Sequence, residues 1–184
     1  TFIQNKRNIG ITKSFNKAFQ NSKGDYFIDL AADDKLKYNC ISQLLDTFKN
    51  STYLNLGLVY GNAKIIDKKG SFVRNHFPVD GFGKTIKRIP TGDVYETIIS
   101  DVQSLCSVAA MVRREVFIAL NGYDSTLYYE DLDFWIRASR KYNFDFKDEV
   151  VVEKRIVKGS LGDYFKKKDK HYKQINNSTF IILN

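Results

Sequence analysis

The 184-residue sequence has few of the residues on which several common kinds of site depend. Its two cysteines, Cys40 and Cys106, stand far apart in apolar stretches, so we expect reduced core thiols in a reducing compartment and no cysteine-held zinc. There are only two histidines, and neither has a catalytic context, which argues against a Ser-His-Asp site. Glycine-rich phosphate-binding motifs are absent. Chemistry carried out by carboxylates and a metal ion is the option that remains.

The chain also has no apolar run long enough to cross a bilayer and no secretory signal at its start. It begins at Thr1 rather than at a methionine, so we expect a fragment of a longer protein. Its net charge of +8 is concentrated in residues 154–173, which hold eight basic and two acidic side chains. This distribution predicts a domain over residues 1–160 followed by a basic helical extension over 161–184. A local basic patch without a base-reading motif favours a membrane surface over nucleic acid as a partner.

Hydrophobic periodicity predicts one α/β unit. Residues 26–32 are expected to form a mostly buried strand that ends at Asp33-Asp34, and a helix with Leu36 and Phe48 on its inner face follows. The other expected elements are a helix around 11–19, a strand starting at 58, a hairpin at 67–73, loops with a short helix at 75–103, a strand at 107–112, helices at 113–120 and 131–142, a strand at 150–157 and basic helix at 161–183.

Two acidic pairs stand at expected element boundaries. Asp33-Asp34 follows a strand, where α/β proteins bind ligands and where paired carboxylates can hold a hard divalent cation. Glu130-Asp131 begins a helix, whose N-terminus stabilises a carboxylate in the ionised form that a general base needs. Each pair taken alone is explained equally well or better as a helix N-cap.

Several short motifs, in their order and spacing, resemble the family 2 glycosyltransferases. The resemblance covers about residues 5–140 and is carried by segments 8–11 (Asn-Ile-Gly-Ile), 14–16 (Ser-Phe-Asn), 23–28 (Lys-Gly-Asp-Tyr-Phe-Ile), 30–34 (Leu-Ala-Ala-Asp-Asp), 111–114 (Met-Val-Arg-Arg), 121–124 (Asn-Gly-Tyr-Asp) and 129–137 (Tyr-Glu-Asp-Leu-Asp-Phe-Trp-Ile-Arg). It implies a GT-A fold, with a mixed central sheet flanked by helices, that lacks its first strand-helix elements.

The resemblance also implies inverting transfer from a UDP- or GDP-sugar, with Mn²⁺ or Mg²⁺, to a glycan or lipid-linked acceptor in cell-surface polysaccharide synthesis. It assigns Asp33, of the family's Asp-x-Asp motif, to the metal, Asp131 as general base and Glu130 as its support. The residues assigned to the donor are Asn8, Gly10, Asn16, Asp34 and Arg155. A cytoplasmic protein, or one at the inner face of the membrane, would fit.

The sequence departs from the family pattern where Ala31 replaces an aspartate. Two other functions therefore stay open: a catalytically inactive GT-A-like domain and a basic module that binds membrane surfaces. Trp135 could stack on a sugar ring, but its helical spacing with Leu132 and Ile136 favours packing in the core. Likewise, a solvated basic face is as good an interpretation of Arg155 as a donor contact.

Overall fold

Two long strands that run side by side form the centre of the structure, a computed structural model that describes residues 2–101, 104–160 and 172–183. The strands are β1 (Tyr26–Ile28), β2 (Lys35–Leu36), β3 (Leu56–Ile66), β4 (Phe72–Asn75), β5 (Ala110–Arg113) and β6 (Asn143–Arg155). The helices are α1 (Ile11–Gln20), α2 (Cys40–Asn50), α3 (Tyr95–Ser100), α4 (Arg114–Ala119), α5 (Asp131–Ser139) and α6 (Tyr172–Leu183). A 3₁₀ turn at Ser107–Ala109 leads into β5.

The strands form one mixed sheet in the order β1-β5-β3-β6-β2, and β4 also pairs with β3. The central pair, β3 and β6, is parallel, and the other strand pairs of the described residues are antiparallel. Helices pack against this sheet, with α2 contacting both β3 and β6 and α4 contacting β5. The predicted mixed α/β architecture is therefore confirmed.

The composition of β3 explains its central position. Its residues are buried apart from one that is half-buried. A Cβ atom added to Gly61 would lie 2.7 Å from Cγ2 of Val151 in β6, so glycine allows the two strands to approach. The buried amide of Asn62 donates to the carbonyl of Phe77 at 2.8 Å and accepts its N–H at 2.9 Å. These bonds satisfy a buried polar side chain and fix the chain that leaves β4.

The predicted strand at 26–32 is shorter in the structure, where β1 ends at Ile28 and is only half-buried. Residues 30–33 are exposed because the chain leaves the sheet there and turns. The N–H of Asp34 donates to the carbonyl of Ala31 at 3.1 Å and closes this turn.

Helix α2 begins later than predicted. Its first residue is Cys40, preceded by Asn39, so the interpretation of Asp33-Asp34 as a helix N-cap is wrong. Leu36, predicted on the inner face of the helix, belongs instead to β2, which pairs with β6. A short strand between the acidic pair and the helix was not visible as periodicity, because two residues carry none.

The other predicted elements are present with different ends. The described elements include the helix from residue 11, the hairpin of β3 and β4, a short helix within 75–103, and α4 and α5, although α5 ends at Ser139. The predicted strand at 107–112 begins with a 3₁₀ turn, and β6 is longer than the predicted strand at 150–157. Trp135 is 6% exposed, which confirms core packing. Both cysteines are buried and unpaired, as expected.

The predicted helix at 161–183 is described only from Tyr172 onward, and its basic part at 161–171 lies outside the described residues. Within the described residues, no helix combines the length and the apolar character needed to pass through a membrane. Helix α6 packs on the body through the buried residues Ile175 and Ser178.

Candidate active site

Three carboxylates from two parts of the chain line one cavity of about 110 Å³. Asp29 lies just after β1, Glu130 immediately precedes α5, and Asp131 is the first residue of that helix. The structure therefore joins a third carboxylate to the acidic pair that the sequence singled out. Sequence reasoning missed Asp29, which lines the cavity together with Ala31 two residues later.

Tyr123 holds the walls of this cavity together. Its hydroxyl donates to Oδ2 of Asp29 at 3.1 Å. Its backbone N–H donates to Oδ1 of Asn16 at 3.1 Å, and its carbonyl accepts Nδ2 of Asn16 at 2.8 Å. Its ring packs among the rings of Phe15, Phe117 and Phe134. Tyr123 thus connects the end of β1, helix α1 and the approach to α5, a role that the sequence did not reveal.

Burial and crowding oppose the ionised forms of two of the three carboxylates. Burial, reinforced by the charges of Asp131 and Asp29, raises the pKa of Glu130 to about 8. Burial raises the pKa of Asp29 to about 6, although the hydrogen bond from Tyr123 lowers it and the charge of Asp131 raises it further. Oε2 of Glu130 is buried without a hydrogen-bond partner among the described residues. Near neutral pH, Glu130 is therefore mostly protonated and has an unused donor.

Asp131 is the first residue of α5, and its carboxylate is hydrogen-bonded there. Its Oδ1 accepts the N–H of Leu132 at 2.9 Å, at the N-terminus of α5, where the helix dipole stabilises negative charge. Its side chain also lines the cavity. The two members of the predicted pair therefore differ: Glu130 is suited to donate a hydrogen bond and Asp131 to accept a proton.

The second acidic pair is tied to the end of β6. The backbone N–H of Arg155 donates to Oδ1 of Asp34 at 2.7 Å, and its Nε donates to the carbonyl of Asp33 at 3.1 Å. Nη1 of the same guanidinium donates to the carbonyls of Asp67 and Lys68, at 2.9 and 3.2 Å. The structure thus brings three predicted site residues together. The hydrogen bonds of Arg155 hold the turn that contains Asp33 and Asp34, just before β2.

The carboxylate of Asp33 is the exposed one of this pair. In the described part of the chain it has no hydrogen bond or ion pair, whereas Asp34 is half-buried and its pKa is raised by burial. Ala31 connects the two acidic groups, because it lines the cavity and its carbonyl closes the turn that contains Asp33. The turn with the free carboxylate therefore begins at the wall of the carboxylate cavity.

The carboxylates of Asp33 and Asp34 fit a divalent cation that a phosphorylated ligand helps to hold. Among residues 2–101, 104–160 and 172–183, no group of three or more His, Cys, Asp or Glu side chains is placed to bind a metal. Mg²⁺ and related hard cations are commonly held by one or two carboxylates together with substrate phosphates. Asp33, with Asp34 beside it, meets that requirement, and it does not meet the requirement for a metal held by protein alone.

The remaining residues predicted to bind the sugar donor are Asn8 and Gly10, which precede α1, and Asn16, which lies within it. Oδ1 of Asn8 accepts the N–H of Gly10 at 2.9 Å, and Gly10, with φ of 83°, precedes Ile11, which lines the cavity. Both polar atoms of the Asn16 amide are bonded to the backbone of Tyr123, so the structure gives Asn16 a positioning role. Direct contacts of these residues with a donor stay a prediction.

Comparison of the sequence with known proteins finds similarity to glycosyltransferases. The family model described as glycosyl transferase family 2 matches residues 1–120. An uncharacterized glycosyltransferase of Methanocaldococcus jannaschii, MJ1057, is 26% identical over 156 residues, which are 84% of this chain and 50% of the relative.

Two solved structures share the fold. Staphylococcus aureus TarS 1–349 in complex with UDP-GlcNAc has a TM-score of 0.61 and 12% identity, covering 94% of this chain and 46% of its own. The mannosyltransferase PcManGT of Pyrobaculum calidifontis, in complex with GDP-Man and Mn²⁺, has a TM-score of 0.59 and 13% identity. The match covers 98% of this chain and 46% of the PcManGT chain. The chain thus spans about half the length of these relatives.

The raised pKa of Glu130 predicts a specific dependence of stability on pH. An acid whose pKa is higher in the folded state binds more protons there, so stability falls as pH rises from the unfolded value toward about 8. Glu130→Gln mimics the protonated acid. We expect this variant to unfold at a higher temperature than wild type at about pH 9, because its free energy of unfolding is higher by several kcal/mol. The difference should vanish near pH 4.

Thermal unfolding followed by circular dichroism across this pH range measures the effect. Glu96→Gln, which removes an exposed carboxylate in α3, is the matched control and should follow wild type. A Glu130→Gln variant that is equally destabilised at every pH would contradict the burial of a protonated carboxyl.

Proposed function

Because the chain belongs to glycosyltransferase family 2, we propose that the protein transfers a sugar from a nucleotide-diphosphate donor to an acceptor hydroxyl, with inversion at the anomeric carbon. The observation that carries the proposal is the connection between two acidic groups. A turn with one exposed carboxylate begins at the wall of a cavity that contains a helix-terminal carboxylate. Inverting transfer requires these two functions on opposite sides of one reacting carbon: charge neutralisation for the leaving group and a base for the nucleophile.

On the donor side, the diphosphate is proposed to lie against the Asp33-Asp34 turn. A Mn²⁺ or Mg²⁺ ion held by Asp33 and by phosphate oxygens would neutralise the negative charge that develops on the leaving nucleoside diphosphate. Arg155 fixes the turn that presents Asp33 through its bond to the Asp33 carbonyl. The solved structures with UDP-GlcNAc and with GDP-Man and Mn²⁺ support a nucleotide-sugar donor and a divalent metal for this chain as well.

On the acceptor side, Asp131 is proposed to take the proton of the attacking hydroxyl. The hydroxyl oxygen forms a bond to the anomeric carbon while the bond from that carbon to the diphosphate breaks. Glu130 is protonated near neutral pH and donates a hydrogen bond to a second acceptor oxygen. We propose that the acceptor is a glycan or a lipid-linked molecule of cell-surface polysaccharide synthesis.

A catalytically inactive GT-A domain is the second candidate, because Ala31 provides no carboxylate where the family pattern has one. Asp29 argues against loss of function, since it returns a carboxylate to the same cavity wall two residues earlier. The two candidates differ in whether the acidic residues support turnover, which the following experiments measure.

We expect Asp33→Asn to weaken the Mn²⁺-dependent binding of UDP or GDP to the full-length protein by at least about tenfold, since one carboxylate ligand is lost. Mn²⁺ alone should bind wild type and variant equally weakly. Calorimetric titration with and without Mn²⁺ measures both quantities. Asp46→Asn, which removes an exposed carboxylate in α2, should leave nucleotide binding unchanged. Equal nucleotide affinities for Asp33→Asn and wild type would remove Asp33 from the metal site.

We expect Asp131→Asn to lower kcat of donor hydrolysis and of transfer by about a hundredfold to ten-thousandfold, the range for loss of a general base. Nucleotide affinity should stay the same, because the acidic turn is not changed. Initial rates with UDP- and GDP-sugars measure the effect, with Asp46→Asn again as the control. If wild type and Asp131→Asn turn over at the same measurable rate, Asp131 is not the base. If wild type binds nucleotide but shows no turnover, the protein is the inactive domain.

A peripheral contact with the inner face of the cytoplasmic membrane is also proposed. The basic residues 165–171 lie outside the described part of the chain, but α6, which follows them, presents Phe180 and Ile181 at 67% and 59% exposure. Basic residues next to exposed apolar ones are typical of helices that lie in the membrane interface.

Replacing Lys166, Lys167 and Lys168 with Gln should then abolish most of the salt-sensitive binding to liposomes that contain anionic lipid, because each lysine near such a surface contributes about 1 kcal/mol. Sedimentation with anionic and with neutral liposomes measures it. Replacing Lys13, Lys17 and Lys23 removes the same charge from the region of α1 and is the control. Equal sedimentation of wild type with both kinds of liposome, or with neither, would reject the contact.

A further inference from the structure

A second cavity of about 340 Å³ lies beside Asp131, between α5, α6 and the segment that leads into β5. Its volume falls within the roughly 300 to 1,000 Å³ of small-molecule sites. Leu105, Leu132 and Leu183 supply alkyl surface, and Trp135 and Tyr129 supply aromatic surface. We call it the α5–α6 cavity.

The outer wall of this cavity is fixed in position by hydrogen bonds. The N–H of Tyr128 donates to Oγ of Ser178 at 2.8 Å. The hydroxyls of Tyr129 and Thr179 are hydrogen-bonded to each other at 2.8 Å. Ile175, one turn earlier in α6, is 4% exposed. Helix α6 is therefore docked on the residues immediately before α5, and the cavity is a built feature of the structure.

Asp131 separates the two cavities. It lines both the α5–α6 cavity and the carboxylate cavity, and Ser107 and Trp135 do the same. The carboxylate cavity continues to Ala31 and the acidic turn, where the donor is proposed to bind. A molecule in the α5–α6 cavity would consequently reach the proposed base through a cavity whose described lining does not include Ala31, the residue that begins that turn.

The charge of the α5–α6 cavity restricts what can enter it. Asp131 is the one charged residue among the described residues of its lining, and no described lining residue is basic. From the described lining, a phosphate or carboxylate inside would meet a carboxylate and no cation, which is unfavourable. Its apolar walls instead favour an uncharged group with apolar surface.

We propose that the α5–α6 cavity is the acceptor subsite and that it takes a neutral glycoside whose apolar aglycone contacts the leucines and aromatic rings. This inference rests on the proposed transferase function and narrows its acceptor class. One sugar hydroxyl lies at Asp131, where it loses its proton on attack. Thr179 and Tyr129, which already form a hydroxyl pair, provide polar contacts for the remainder of the sugar.

Fluorescence of Trp135 tests the assignment, because this ring lines the cavity. The full-length protein is titrated with octyl glucoside below its micelle concentration, with glucose and with octyl phosphate, and Trp135→Phe identifies the signal of this ring. We expect saturable binding of octyl glucoside that is at least about tenfold tighter than binding of either of the other probes.

Matched substitutions in α6 place the site. Thr179→Leu adds bulk to the cavity wall and should weaken octyl glucoside binding at least about tenfold, whereas Asn177→Leu adds the same side chain on the exposed face and should not. Thr179→Ser keeps the hydroxyl and should bind like wild type. Circular dichroism and nucleotide titration on each variant show whether the fold and the donor site are intact.

Equal binding of octyl glucoside by Thr179→Leu and Asn177→Leu, or tighter binding of octyl phosphate than of octyl glucoside, would overturn the proposal while nucleotide binding still supported the transferase. Nucleotide binding tests the proposed transferase function separately. Glycoside binding by a protein that binds no nucleotide, with or without Mn²⁺, would reject both the function and the acceptor assignment.

Discussion

The candidate site depends on the way Tyr123 is fixed. Three polar groups of this residue are hydrogen-bonded, two of them to Asn16 and one to Asp29, while its ring is enclosed by aromatic side chains. Gly122 permits this arrangement, because a Cβ there would lie 2.9 Å from Oδ1 of Asn16 and its φ is 73°. Tyr123 thus joins helix α1, the end of β1 and the approach to α5, and the ring of Phe117 packs against the same three elements.

Placing three carboxylates in one cavity creates an electrostatic conflict that protonation relieves. Burial and two acidic neighbours raise the pKa of Glu130 to about 8, and burial raises that of Asp29 to about 6. Asp29 has partial compensation from the hydroxyl of Tyr123, and Asp131 lies at a helix N-terminus with a backbone N–H to accept. The same cavity therefore surrounds adjacent residues differently, because Glu130 is buried among acidic neighbours whereas Asp131 accepts a backbone N–H.

The sequence predicted the alternation of helices and strands and the two acidic pairs, because each leaves a local trace in periodicity or composition. The contacts of Arg155 with Asp33 and Asp34 were not predicted, since they join positions 121 and 122 residues apart. The sequence missed β2, whose two residues have no period, and it therefore assigned the acidic pair to the start of α2. It missed Asp29 and Tyr123 for another reason. Their importance arises from a hydrogen bond across 94 positions of the chain, and no local pattern records such a contact.

The position of Asp131 between two cavities has a consequence for how the proposed inverting reaction would be organised. Attack on the face opposite the leaving group requires donor and acceptor to approach from different directions, and two adjoining cavities that share the proposed base would give each of them a place. The wall of one cavity is connected through Ala31 to the acidic turn, and the wall of the other belongs to α6. Changes in α6 could therefore alter which acceptor is used while the acidic turn and the proposed base stay the same.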